Sequence, residues 1–327
     1  MPINVIGQFS TLRRGLVSYC SQQNIPKFVR CQTATIMTDN NTQLLERARS
    51  IVPQLAANRH KGQAGRIGVI GGSYEYSGAP YFAAISALKV GADLAYVFCP
   101  KLAAPTIKSY SPELIVIPLE DESKDAIKQV KLFLERLHVL VIGPGLGRDS
   151  NFLPIVVELI KICRQMAKPL IIDADGLFLI TQDITLVKDY EGVILTPNAI
   201  EFTRLFGGER NPKAMHNELG EGVTVIEKGV NDRIYNTSTL ESYECPAGGS
   251  GRRCGGQGDL LSGALATFYC WALASKQETS PALVAGFAAC YLTKTCNSYA
   301  FKTKRRSMMC SDMIEQIHQV FQDHFEH

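Results

Sequence analysis

From residue 66 onward the chain alternates short, nearly continuous apolar runs with longer stretches whose apolar residues recur every three or four positions. The short runs fall at 66–70, 94–98, 114–117, 139–142, 170–172, 193–195 and 223–226, and are built mainly of Val, Ile and Leu. Runs of that length and content predict strands buried on both faces. Helical spacing holds at 41–56, where Leu44, Leu45, Ala48, Ile51 and Val52 share a face, and at 81–91, 123–136, 152–166, 260–274, 281–301 and 311–325. Strands alternating with helices predict an α/β fold with a mostly parallel central sheet and helices on both faces. Two more β-rich runs, at 234–235 and 240–245, are separated only by a turn and predict an antiparallel hairpin at the sheet edge. Past about residue 256 the pattern is helical only. No repeat, linker or low-complexity tract interrupts residues 41–327, so a single domain is expected there.

Composition narrows the function classes. Of 327 residues, 46% are hydrophobic and 20% charged, as in ordinary globular proteins, and a net charge of +3 gives no sign of a nucleic-acid or membrane-surface partner. No apolar run reaches the about eighteen residues that span a bilayer. The ten cysteines form no Cys-x-x-Cys pair and lie mostly in apolar segments, which points to a reducing compartment without a zinc site or a disulfide framework. The N-terminus differs from the rest. Residues 1–38 contain no Asp or Glu, while Arg13, Arg14, Lys27 and Arg30 are spread among Ser, Thr and Gln. That composition is the one found in mitochondrial transit peptides, and a disordered tail is the plain alternative. Residues 1–40 are therefore set apart as a leader, with a mitochondrial location expected and a cytoplasmic one as the alternative.

The densest chemical signal is Gly248-Gly249-Ser250-Gly251-Arg252-Arg253-Cys254-Gly255-Gly256-Gln257-Gly258-Asp259, running straight into an apolar helix. A glycine loop opening a helix leaves backbone N–H groups free at the positive end of the helix dipole, which suits phosphate oxygens. Asp259 falls in the first helical turn, where its charge is favoured. It should stay ionised, either as a proton acceptor for a bound hydroxyl or simply as a helix cap. The other informative residues follow strand ends, where open parallel sheets bind ligands. Gly143-Pro144-Gly145-Leu146-Gly147-Arg148 after 139–142 is not a dinucleotide fingerprint, since Arg stands where the last Gly is needed. It does let a flat ligand approach the backbone. Asp173-Ala174-Asp175 after 170–172 suits Mg²⁺ reached through water, or a turn. Asn198 and Glu201 after 193–195 lie one helical turn apart, as a Mg²⁺-positioning pair or a capping box. Lys228-Gly229 after 223–226 suits a nucleotide phosphate or ribose, and no P-loop motif is present.

Asn-x-x-Glu followed by Gly-x-Gly-Asp at a later helix start resembles the paired signature of ribokinase-like enzymes. Within that superfamily the chain is most similar to the ATP-dependent dehydratases that restore hydrated NADH and NADPH. The matching stretches are His60-Lys61-Gly62, Gly71-Gly72-Ser73 with Tyr76-x-Gly78-Ala79-Pro80, Gly143 to Arg148, Asp173 to Gly176, Thr196-Pro197-Asn198-x-x-Glu201-Phe202, and Arg252 to Asp259. They cover nearly the whole chain after the leader. The resemblance implies a ribokinase-like three-layer sandwich with ATP as co-substrate and Mg²⁺ as cofactor. It implies Asp259 as catalytic base acting on the S epimer of the hydrate. Gly145, Gly147, Asn198, Ala199, Ile200, Glu201, Phe202, Thr203 and Arg204, with Asp259, would line the dinucleotide. Lys228, Gly229, Val230, Asn231 and Asp232, with Gly249, Ser250, Gly251, Arg252, Arg253, Cys254, Gly255, Gly256, Gln257 and Gly258, would line ATP. Metal ligands stay open, with Glu201 and Asp173 as candidates through water, and homo-oligomerisation stays open too. The chain departs from the family in the neutral pair Val230-Asn231 before Asp232, where charged residues are common. A vitamin-type kinase of the same superfamily is the alternative. It would leave a stable phosphate ester, where the dehydratase leaves free phosphate and NADH.

Overall fold

The computed structural model describes residues 39–326 apart from 121, 247, 276, 277 and 279. The leader expected on residues 1–40 thus lies outside the described residues, except that Asp39 and Asn40 already belong to the first helix. The strands are β1 (Arg66–Ile70), β2 (Leu94–Pro100), β3 (Ile115–Leu119), β4 (Val139–Ile142), β5 (Leu170–Ile172), β6 (Val193–Leu195), β7 (Val223–Glu227), β8 (Asp232–Asn236) and β9 (Ser242–Cys245). The helices are α1 (Asp39–Ser50), α2 (Gly78–Val90), α3 (Ala104–Tyr110), α4 (Ser123–Leu134), α5 (Leu153–Gln165), α6 (Asp175–Gln182), α7 (Ala199–Phe206), α8 (Pro212–Leu219), α9 (Gln257–Ala274), α10 (Pro281–Lys304), α11 (Cys310–Glu315) and α12 (Ile317–His324).

All nine strands form one sheet in the order β3-β2-β1-β4-β5-β6-β7-β8-β9. Strands β1 to β7 pair in parallel, and β8 and β9 close the edge in antiparallel fashion, as the hairpin pattern predicts. Side chains alternate across the pleat, and each strand therefore feeds two cores. Val139, Val141, Ile171, Ile194 and Ile226 face a core shared with α1, α2 and α9 to α12. Leu140, Ile142, Leu170, Ile172, Val193 and Val225 face a second core shared with α4 to α8. The result is helix, sheet, helix in three layers. No helix among the described residues is long and apolar enough to cross a membrane.

Three helix boundaries differ from the periodicity. Helix α1 stops at Ser50, well short of 56, because Pro53 lacks an N–H and restricts the residue before it. Helix α2 starts at Gly78 and takes Pro80 into its first turn, where a missing N–H costs nothing. The single helix expected at 311–325 is two, broken at Gln316, whose N–H makes the tighter bond to Met313 O at 3.0 Å.

The sheet order reverses between β1 and β4, which opens a crevice at the carboxyl ends of the strands. Helix α9 is held at that crevice by close packing on α2. A Cβ on Gly263 would lie 1.9 Å from Ala83 O, so only glycine permits the contact. The buried α9 residues Leu260, Ala264, Leu265 and Phe268 fix its rotation. Its first turn, carrying Asp259, is positioned by the core.

Candidate active site

Two recesses open at the carboxyl edge of the sheet. The first, of about 770 Å³, lies between the segment after β7 and the glycine loop before α9. Lys228, Gly229, Val230, Asp232, Gly249, Ser250, Gly251, Arg253, Cys254, Gln257 and Gly258 line it, which gathers most of the residues expected around ATP. Four others of that group support the walls. The amide of Asn231 turns to Glu244 on β9. Arg252 fastens the loop by donating Nε to Met308 O at 3.2 Å. Gly256, at φ +92°, is the N-cap of α9, and Gly255 precedes it. Arg253 donates to Ser250 O at 2.7 Å and is the one of the two arginines that faces the cavity.

Helix α10 supplies a wall that the sequence patterns did not reveal, through Thr293, Lys294 and Asn297. Lys294 Nζ donates to Gly229 O at 3.0 Å and Val230 O at 2.8 Å and pairs with Asp232 at 3.2 Å. Asn297 Oδ1 accepts the Ser250 N–H at 2.6 Å. One helix thereby pins both loops. The only available signal was a polar cluster inside an otherwise apolar helix, and periodicity assigns such a cluster to a solvated face.

The second recess, of about 880 Å³, lies beside the β1–β4 switch point. It is lined by the 73–76 segment, Leu102, Gly147, Arg148, Asp149, Phe152 and Asp175 among others. Gly147 is there, as expected. Gly145 instead packs beneath the 73–80 segment, where a Cβ would lie 2.6 Å from Tyr76 O. Tyr74 and Tyr76 are exposed and offer flat surfaces. They belong to the Gly-Gly-Ser motif after β1, which had been assigned no role in the site.

The expected segment Asn198 to Arg204 is divided between several surroundings. Asn198 lines the first recess, beside Lys228, to which it is joined by a parallel bridge. Its Oδ1 accepts the Ile200 and Glu201 N–H groups at 2.9 and 3.0 Å, while Glu201 Oε2 accepts the Asn198 N–H at 2.8 Å. This is the capping box, so the pair's first task is to start α7. Phe202 is fully buried against Phe206 and Tyr235 and has no surface for a ligand, because the fourth residue of α7 turns back to the core. Ile200 is exposed, and Ala199, Thr203 and Arg204 line neither recess.

Between the recesses stands a charge cluster. Lys228 Nζ lies 2.6 Å from Asp173 Oδ1, with Asp173 wholly buried. Asp175, two residues on, accepts the Gly147 N–H at 3.0 Å and pairs with Arg148 at 3.2 Å, and the Arg148 guanidinium stacks on Phe178. Ala174 between them has φ 47° and ψ −119°, a conformation that costs a residue with a Cβ about 1–3 kcal/mol. Across that twist Asp173 is buried against Lys228, while Asp175 lines the second recess. Burial pulls the Lys228 ammonium down, but Asp173, Glu201 and Asp259 outweigh it and hold its pKa above the ordinary lysine value. Burial likewise pushes the Glu201 carboxyl up, against the pull of Lys228.

Asp259 is the third residue of α9; no side-chain bond closes the cap at Gly256, and the backbone N–H of Asp259 itself stabilises the Asp259 carboxylate. Its ionisation is less complete than the helix N-terminus alone would give. Burial and the nearby Asp173 charge push its pKa up to about 7, against the opposing pull of Lys228 and the backbone. Desolvation wins over the helix dipole. A carboxyl poised there exchanges a proton near neutrality, as a general base must.

No group of three or more His, Cys, Asp or Glu side chains among the described residues could cage a metal. Asp173 keeps Oδ2, and Glu201 keeps Oε1, outside their hydrogen bonds to Lys228 and Asn198. Such a set fits Mg²⁺ held mostly by phosphates and water, not by a protein cage.

The sheet order, three layers and glycine-loop helix define a ribokinase-like fold. A ribokinase-like superfamily protein of Enterococcus faecalis shares it with TM-score 0.73 at 22% identity, covering 86% of this chain and 95% of that one. An ADP/ATP-dependent NAD(P)H-hydrate dehydratase of Bacillus subtilis, co-crystallised with ATP and Mg²⁺, matches with TM-score 0.66 at 21% identity over 85% and 96% of the two chains. The NAD(P)H-hydrate dehydratase family model matches residues 67–319. The chain is 73% identical over 292 residues to the ATP-dependent (S)-NAD(P)H-hydrate dehydratase of Aedes aegypti, covering 89% of this chain and 88% of that protein. Its identity to the Bos taurus protein of the same name is 49%, over 86% and 89% of the two. The chain belongs to the NAD(P)H-hydrate dehydratase family.

Proposed function

We propose that this protein is an ATP-dependent (S)-NAD(P)H-hydrate dehydratase, a hydro-lyase that repairs hydrated NADH and NADPH. In this reading the first recess takes ATP and the second takes the hydrated nicotinamide nucleotide. The observation that carries it is the placement of Asp259 in the first turn of α9, straight after the glycine loop that lines the first recess, with the Lys228–Asp173 pair close enough to act on its charge.

Asp259 takes the proton from the hydroxyl on the nicotinamide ring as that oxygen attacks the γ-phosphorus of ATP. The bond from the γ-phosphorus to the β,γ-bridging oxygen breaks, and ADP leaves. The ring nitrogen lone pair then expels phosphate from the ring carbon. Loss of a proton from the adjacent carbon restores the double bond and NADH. Free N–H groups at the start of α9 and the Lys228 ammonium stabilise charge on the transferred phosphoryl group. Mg²⁺, held by the phosphates with help from Asp173 or Glu201 through water, supplies further charge neutralisation when bound. The Asp175–Arg148 pair shapes the floor of the second recess and orients the Gly147 backbone.

The test is incubation with hydrated NADH, ATP and Mg²⁺, following reduced-nicotinamide absorbance together with free phosphate. Both should rise in equal amounts and only when ATP is present. A stable phosphate ester without recovered NADH would make the protein a kinase.

A further inference from the structure

The α10 wall of the first recess holds three polar side chains, of which two have structural partners. Lys294 is committed to the carbonyls of Gly229 and Val230 and to Asp232, and Asn297 to the Ser250 N–H. Thr293 is not committed. It is 8% exposed and lines the cavity, yet its hydroxyl is buried with no hydrogen-bond partner. Elsewhere in the same helix Thr295 donates to Tyr291 O at 2.8 Å and Thr303 to Ala300 O at 3.0 Å. Threonines in helices have such a carbonyl one turn back. Among the described residues, three other buried side-chain atoms lack a partner, on Ser86, Asn231 and His324, and none of those residues lines the recess. Threonine populates two χ1 rotamers in helices, and the step between them exchanges hydroxyl and methyl. One such step redirects the Thr293 hydroxyl without moving the helix.

The chemistry of this wall fixes what that molecule presents. The charges and free N–H groups for phosphate are at Lys228 and the start of α9. On the part of α10 that lines the recess the ammonium is Lys294, already paired with Asp232. The same cavity is lined by Val230 and Leu261, apolar side chains that suit a flat base. We propose that the Thr293 hydroxyl hydrogen-bonds the nucleoside end of ATP, and that Thr293 is a specificity residue for the nucleotide. The inference rests on the reading of this recess as the ATP site.

Thr293→Val keeps the shape and removes the hydroxyl, and Thr293→Ser keeps the hydroxyl. ATP and inorganic tripolyphosphate affinity are measured for wild type and both variants, with melting temperature of the free proteins and kcat at saturating ATP. Thr293→Val should lose about tenfold in ATP affinity, the usual worth of one neutral hydrogen bond. Tripolyphosphate binding and kcat should hold, and the ligand-free variant should melt no lower than wild type, since an unpaired buried hydroxyl has gone. Thr293→Ser should bind ATP like wild type. 2′-Deoxy-ATP separates sugar from base: a ribose contact erases the difference between wild type and Thr293→Val, and a base contact preserves it. Unchanged ATP affinity in Thr293→Val, or an equal loss of ATP and tripolyphosphate, overturns the proposal. Absence of ATP binding by the wild type overturns the reading of the recess itself, and the proposal with it.

Discussion

The Lys228 ammonium reaches across the end of β6 to place Nζ 2.6 Å from Asp173 Oδ1, so the residues just after β5 and β7 share one buried charge pair. Both partners act on Asp259, in opposite senses. The Asp173 charge raises the Asp259 pKa and the Lys228 charge lowers it. Burial is the largest influence on that pKa, and the pair tunes it further, besides holding the strand ends together.

Asp173→Asn removes the negative charge that disfavours ionisation of Asp259. The Asp259 pKa should fall below about 7, and the acid limb of the kcat/KM profile should move to lower pH. The same change leaves a largely buried ammonium without its partner, at a cost of about 3 kcal/mol of stability. A pH–rate profile and a urea melt measure the two effects. An acid limb that stays where wild type has it would remove Asp173 from control of the base.

Gly258 leaves little room beside Lys228. A Cβ there would sit 3.2 Å from Lys228 Nζ and 3.9 Å from Asp173 Oδ2. Gly258→Ala should push the ammonium off its position and lower kcat/KM by about tenfold or more. Thermal stability should hold or rise slightly, because Ala favours a helix over Gly by about 0.5–1 kcal/mol. Loss of stability with normal turnover per folded molecule would show that the position serves packing alone.

How far the sequence could be read follows from which interactions were local. Strands such as Val139–Ile142 and Leu170–Ile172 announce themselves because burial on both faces needs continuous apolar residues. The glycine loop and Asp259 were legible because backbone freedom and a helix start are encoded within a few residues. The α10 wall was not. Lys294 meets Gly229 and Asn297 meets Ser250 from 65 and 47 residues away. Nothing in the local pattern around 293–297 records those partners. The rise in the Asp259 pKa was not legible for the same reason, since desolvation and the Asp173 charge come from the assembled fold. Phe202 entered with a whole segment, and its side chain is buried because an aromatic at the fourth position of α7 suits the core face of a helix.

Glu201 closes the capping box of α7 with one carboxylate oxygen. Glu201→Ala should cost about 1 kcal/mol in chemical denaturation, the usual worth of a cap. Glu201→Gln can still accept the Asn198 N–H and should retain most of that stability. If Glu201 also positions Mg²⁺ through water, Glu201→Gln should raise the Mg²⁺ concentration needed for half-maximal rate. An unchanged Mg²⁺ requirement would restrict Glu201 to the helix start.

Asp259 should also leave a signature in stability. Its folded pKa of about 7 lies above the about 3.9 of an unfolded Asp, so the folded state binds more protons in between. Stability is unaffected below about pH 4, falls as pH rises toward 7, and stays reduced above it. Asp259→Asn abolishes this penalty. The variant should therefore melt higher than wild type at pH 8, with the gap narrowing toward pH 5. Parallel melting curves at all pH values would contradict the raised pKa.

The proposed reaction turns on Asp259 as the base that deprotonates the substrate hydroxyl, and single-turnover dehydration of hydrated NADH as a function of pH tests it most directly. Wild-type rates should climb and level off near pH 7, the pH at which the carboxylate forms. Asp259→Asn should run about 10²–10⁴-fold slower across the range and lose that inflection. Its ATP affinity should hold or tighten, since a negative charge beside the phosphates has gone. A variant rate within a few-fold of wild type, with the same pH dependence, would contradict the account and leave the glycine loop as an anion cradle alone.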